Sequence, residues 1–141
     1  MVTMVKLPQK PTNLREYDYS LIINDQHLTK LEISPYYEKH NQEYLEALKR
    51  KNIKLSSQEL ANKLITDDLI QKILLPQLNG ERVDEDGERN YQYTYYSVFP
   101  LYNGKKAYKL VWCLDDYNPH VLGIMDCFRI GKYDKSPNKY A

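Results

Sequence analysis

The spacing of apolar side chains along this chain runs from two to about 3.6 and back to two, and those changes of period mark out its elements. Residues 19–23 and 28–33 alternate and read as two short strands around Asn24-Asp25-Gln26, which suits a hairpin turn. In the second of them Thr29, Leu31 and Ile33 face one way and Lys30 and Glu32 the other. Ser34-Pro35 then opens a helix to about Lys51, whose inward stripe is Tyr37, Asn41, Tyr44, Leu45 and Leu48. Ser56-Ser57-Gln58-Glu59 offers a capping box for a second helix through Leu60, Leu64 and Ile65. Thr66 caps a third over 67–78, bent or ended by Pro76 and stopped by Asn79-Gly80. Residues 81–89 (ERVDEDGER) are polar and highly charged and read as a loop.

From Asn90 the period is two. Residues 91–99, 107–115 and 121–130 predict three strands, joined at Asn103-Gly104 and by a turn over 116–120. The expected class is therefore α+β: an antiparallel sheet with a C-terminal three-strand meander, one face covered by two or three N-terminal helices. Residues 1–17, with Pro8 and Pro11, read as an extended arm, 18–131 as one domain, and 132–141 as a flexible polar, basic tail.

Register decides which side chains share a face. A two-residue turn at Asn103-Gly104 pairs Tyr102 with Lys105 and so sets Tyr95 opposite Trp112. Pairing Asp115 with Val121 then gathers Tyr93, Tyr95, Phe99, Tyr108, Leu110, Trp112, Leu114, Leu122, Ile124, Phe128 and Ile130 on one apolar face, with Asp126 the only misfit. Under this alignment the opposite face carries Thr94, Tyr96, Val98, Lys109, Val111, Cys113, Met125, Cys127 and Arg129. Lys109 and Arg129 thus project together from neighbouring strands, on the side the helices leave open. Cys113 and Cys127 share that face too far apart for a disulfide.

Composition changes this picture little. A chain of 141 residues suits one domain, and 14 tyrosines against 2 phenylalanines fit half-buried sheet faces and wet binding surfaces alike. Net charge of +1 removes any argument from bulk electrostatics, although residues 102–141 hold more Lys and Arg than Asp and Glu. Residues 1–10 lack an apolar signal core and no run approaches the ~18 apolar residues of a membrane span, so a cytoplasmic protein with reduced thiols and no membrane partner is expected. His27, His40 and His120 have no ligand partners at local spacing, and neither a metal nor another cofactor is expected.

Two cations and a phenol on an open sheet suit a phosphodiester: they hold its charge and stabilise what develops when a ribose 2′-hydroxyl attacks. Solvated strand residues explain the same pair equally simply. The stretch Tyr108-Lys109-Leu110-Val111-Trp112-Cys113-Leu114-Asp115-Asp116, then Val121-Leu122-Gly123-Ile124-Met125 and Phe128-Arg129, resembles the closing hairpin of RelE/ParE-type toxins and the wider clan of small ribonucleases. The resemblance covers about residues 90–133 and implies a metal-independent endoribonuclease, RNA that is ribosome-bound in some relatives, and a protein antitoxin. It places Lys109 at a phosphate-binding position, Arg129 at the basic residue closing the last strand, and Tyr133 near the aromatic residue that follows. The lysine pair the family carries on the preceding strand is replaced by Tyr96, Ser97 and Val98.

A base is still needed, and His40, beside Lys39 on the first helix, lies where it can reach the sheet rim. The expected catalytic set is His40, Lys109 and Arg129, with Lys39, Tyr96, Lys132 and Tyr133 as RNA contacts. The alternative is a module that binds protein or nucleic acid without catalysis on the same scaffold, for instance one from a mobile element.

Overall fold

A computed structural model describes residues 13–130. Six strands form one sheet in the order β1-β2-β6-β5-β4-β3, where β1 is Arg15–Ile23, β2 Gln26–Ile33, β3 Glu85–Asn90, β4 Tyr93–Asn103, β5 Lys106–Asp115 and β6 Asn118–Ile130. The class is α+β, but the sheet is mixed: β2 and β6 run parallel because the helices intervene between them, whereas the other neighbours are antiparallel. Helix α1 spans Glu38–Arg50 and α2 Ser57–Lys63; α3, Asp67–Leu69, continues as a π turn over Ile70–Leu74 and a 3-10 turn over Leu75–Leu78. Pro76 has no N–H to donate, which explains why this run does not stay α-helical.

Local chemistry accounts for most boundaries. Asn24 and Asp25, both at positive φ, make the two-residue β1–β2 turn. Ser56 and Glu59 form a reciprocal capping box, and Thr66 accepts from the Leu69 amide at 3.1 Å. Two expectations need correction. Arg15–Tyr17 open β1 and so do not belong to an arm, while residues 1–12 and 131–141 lie outside the described region. Residues 85–89, read as loop, lie in β3; charged residues such as Glu85, Asp86 and Arg89 mark a sheet edge, where they discourage pairing with another chain.

The long helical run lays Leu69, Ile70, Leu74, Leu75 and Leu78 over one sheet face, against Leu28, Leu31, Ile33, Tyr108, Leu110, Trp112, Leu122 and Ile124. A polar tie fastens its start. Arg15 donates to both oxygens of Asp67, from Nε at 2.6 Å and Nη2 at 2.8 Å, and the Tyr17 and Tyr37 hydroxyls donate to them at 2.5 and 2.6 Å. Burial alone would raise the Asp67 carboxyl, but these donors outweigh it and hold the group below its ordinary range.

Irregularities in both hairpins replace the expected register. Asn103 pairs Lys106, so Gly104, at φ +61°, is the first residue of the turn and Lys105 the second. A second shift falls at Phe99-Pro100, where proline cannot donate to the ladder, and Tyr96 rather than Tyr95 comes opposite Trp112. In β6 Asp115 pairs Asn118 rather than the expected Val121, but the next pairs fall as expected, with Leu114 opposite Leu122 and Trp112 opposite Ile124. Met125 is then extra, and beyond this bulge Asp126 faces Val111, Cys127 faces Leu110, Phe128 faces Lys109 and Arg129 faces Tyr108.

Candidate nucleic-acid interface

One inserted residue separates the two expected phosphate ligands. Cross-strand partners share a face, so Arg129 lies with Tyr108 on the helix side and Lys109 with Phe128 on the other. Lys109 and Arg129 therefore do not emerge together, and Cys127 and Cys113, both buried free thiols, face opposite sides. The second face is not bare either: Lys109, only 7% exposed, Cys113 and Phe128 are buried on it. Tyr96 moves to the covered face, stacked on fully buried Trp112 at 5.6 Å between centroids. Lys132 and Tyr133 lie outside the described residues.

What the bulge takes from the open face it gives to the seam between α1 and β6. Strand β2 stops pairing at Ile33, opposite Ile124, while β6 continues to Ile130. At that point Ser34 donates its amide to the Ile124 carbonyl at 2.9 Å and caps the following turn, sending α1 along the vacated flank of β6. His40 and Tyr44, one helical turn apart, share the α1 face that meets it.

His40 Nε2 lies 2.9 Å from Asp126 Oδ1 and 3.1 Å from Oδ2, while Asp126 also accepts the Cys127 amide at 2.8 Å. The Phe128 ring sits 5.4 Å from the imidazole, and Tyr36 meets it edge-on at 5.8 Å. Asp126, the misfit of the apolar pattern, is thus turned off the core face by Met125 and met by a helix histidine at the sheet rim. With Nε2–H directed at the carboxylate, Nδ1 is left to accept a proton. Lys39 lies 5.7 Å over the exposed ring of Tyr36, at the same end of the seam.

Further along, the Arg129 guanidinium lies 5.4 Å from the Tyr44 ring centroid. Beyond it opens a cavity of about 530 Å³ lined by the apolar Leu48, Ile53 and Ile130 and by Lys51, Lys63, Lys105, Lys106 and Arg129. No carboxylate is among the described residues that line it. Lys106 donates to the Asn62 carbonyl, and its ammonium is pushed below the ordinary lysine range by burial first, then by repulsion from Lys63 and Arg129. Lys51 and Lys63 close α1 and α2, where cations complement the helix dipoles, but their convergence with Lys106 and Arg129 exceeds what capping needs.

Sequence reasoning passed over this cluster. Lys51 reads as an ordinary C-terminal cation, Lys63 carries no signal of its own, and Lys105 and Lys106 stand out only as part of the weak positive bias of the last forty residues. Among the described residues no group of three or more His, Cys, Asp or Glu is arranged to hold a metal, and no helix is long and apolar enough to cross a membrane. Comparison with family models, curated proteins and solved structures gives no match.

Proposed function

We propose that the chain is an RNA-binding module whose interface is the α1–β6 seam. The observation that supports this most is the basic cavity: Lys63, Lys106 and Arg129 converge with no carboxylate among the described lining residues, which suits them to phosphate. Tyr36, 49% exposed at the other end of the seam, offers a ring for a base to stack on. An aromatic platform continued by cations is the usual means of holding a single strand.

Titration of a labelled single-stranded oligoribonucleotide tests the reading. The double variant Lys63→Gln/Lys106→Gln should bind at least about tenfold more weakly, and its log–log salt slope should flatten by ~0.7 for each phosphate it no longer neutralises. Lys72→Gln, an exposed lysine on the other helical run, should stay within about twofold. Equal losses in both proteins would reject the seam as the interface.

The His40–Asp126 pair favours a second reading, cleavage at the same seam. Nδ1 of His40 takes the 2′-hydroxyl proton, the oxygen attacks phosphorus and the P–O5′ bond breaks. The products are a 2′,3′-cyclic phosphate and a 5′-oxygen that takes its proton from water. Asp126 orients the ring and Arg129 carries the developing charge, with no part for Lys109. This reading brings the resemblance's partners with it: RNA on the ribosome, a protein antitoxin over the seam, and a cytoplasmic setting. His40→Ala should then abolish cyclic-phosphate product and leave binding intact; a parent that binds RNA and forms none would leave the binding module alone.

A further inference from the structure

We propose that the basic cavity is a receptor for a terminal phosphomonoester, so that the seam takes RNA by a phosphorylated end rather than anywhere along the strand. The inference rests on the RNA reading and concerns what seats in the cavity.

Three features point to an end. First, the site is a recess of about 530 Å³ lined by apolar and basic side chains, the size of small-molecule pockets of ~300–1,000 Å³. An internal phosphate carries a sugar on both sides and must ride across the rim of such a recess; a terminal one enters it with its oxygens leading. Second, the charge suits a dianion. A phosphomonoester bears about −1.5 to −2 near neutrality against −1 for an internal phosphodiester, and presents three strong acceptor oxygens to Lys63, Lys106 and Arg129. Third, those cations are held against their own repulsion. Lys106 is half-buried and anchored at the Asn62 carbonyl, so it cannot swing out to relieve the repulsion without losing a partner. The Arg129 guanidinium is steadied by the Tyr44 ring, and its planar fork matches phosphate oxygens in pairs. The apolar lining of Leu48, Ile53 and Ile130 would receive the first sugar and base.

The full chain is titrated with four single-stranded oligoribonucleotides of one sequence: 5′-phosphate, 3′-phosphate, both ends phosphorylated, and both ends hydroxyl. A gain of at least about tenfold from one terminal phosphate is expected, and which oligonucleotide shows it identifies the end. Lys63→Gln and Lys106→Gln should each reduce that gain to about threefold or less while changing hydroxyl-ended binding less. Folding of both variants is checked by circular dichroism, and since Lys63 closes an exposed helix, it serves if Lys106→Gln is compromised. Equal affinity for all four would overturn the terminal-phosphate proposal and leave the RNA reading standing. No measurable affinity for any would overturn the RNA reading itself.

Discussion

The Arg15–Asp67 tie and the α1–β6 cavity both concentrate charge, and they resolve it in opposite ways. At Asp67 every strong donor finds an acceptor: Arg15 bridges both carboxylate oxygens, the Tyr17 and Tyr37 hydroxyls add one bond each, and Arg15 also reaches the Tyr37 oxygen at 3.0 Å. The Tyr37 hydroxyl is pushed well above its ordinary range by burial and then by its bond to Asp67, which keeps it protonated as a donor. In the cavity the charges among the described lining residues are all of one sign, and Lys106 is pushed below its ordinary range by burial first and then by repulsion from Lys63 and Arg129. A closed network has no valence left for a ligand. An unbalanced one does, and the difference separates polarity that serves the fold from polarity that serves binding.

The strongest way to break the comparison is at Asp67. Asp67→Ala leaves Arg15 and two phenols without their shared acceptor in a half-buried site, and a loss of about 3 kcal/mol in unfolding free energy is expected from denaturant titration. RNA affinity of the folded variant should not change. The pH dependence follows from the lowered Asp67 pKa. Folding favours the ionised carboxylate, so the contribution is complete above the unfolded value near ~4 and disappears as pH falls through the lower folded value. The gap in stability between parent and Asp67→Ala should therefore narrow in acid. A gap that does not narrow as the pH is lowered into the acid range would mean that the tie stabilises by packing alone.

Tyr108 gives a smaller and opposite effect. Its hydroxyl is buried without a hydrogen-bond partner among the described residues, on the residue directly across from Arg129. It belongs to neither class, being unpaired yet shut in the core. Tyr108→Phe removes an unsatisfied oxygen and keeps the ring, so stability should rise by about 1 kcal/mol by thermal or denaturant unfolding. A fall of that size would reveal that the hydroxyl is satisfied in the folded protein after all, and that the core does not tolerate orphaned polarity here.

The helices, their caps and the alternating strands were legible because each has a local cause: Ser56 with Glu59, Thr66 before Asp67, and apolar side chains at period two in β5. The candidate site was not, because it depends on single-residue insertions that local pattern does not encode. Met125 looks like any apolar strand residue, yet it decides that Arg129 faces α1 and Lys109 does not. The signal was present at Asp126, the one carboxylate in an otherwise clean apolar alternation, and a bulge just before it removes the conflict. Pro100 was a second signal, since proline inside a strand marks an interrupted ladder. His40 was within reach of sequence reasoning as a rim residue of α1, but its partner across 86 positions was not. Lys63 and Lys106 meet only because α2 ends beside the start of β5, a tertiary fact with no trace in either segment.

The finest test of the comparison is the effect of the cavity cations on stability without ligand. If they serve the fold, Lys63→Gln and Lys106→Gln should each cost energy, as the loss of Asp67 does. If they are held against one another for a ligand, each substitution relieves repulsion, and a gain of no more than ~0.5 kcal/mol is expected at low salt, vanishing as added salt screens the charges. The depressed Lys106 pKa sets the pH signature. The folded state resists protonating this amine, so between the lowered folded value and the unfolded value near ~10.4 the unfolded chain binds more protons, and parent stability rises with pH across that window. Lys106→Gln should lose that alkaline rise while keeping the acid dependence that belongs to Asp67. A cost of about 1 kcal/mol or more in both lysine variants, indifferent to salt, would place these cations among the structural ties and remove the distinction between the two regions.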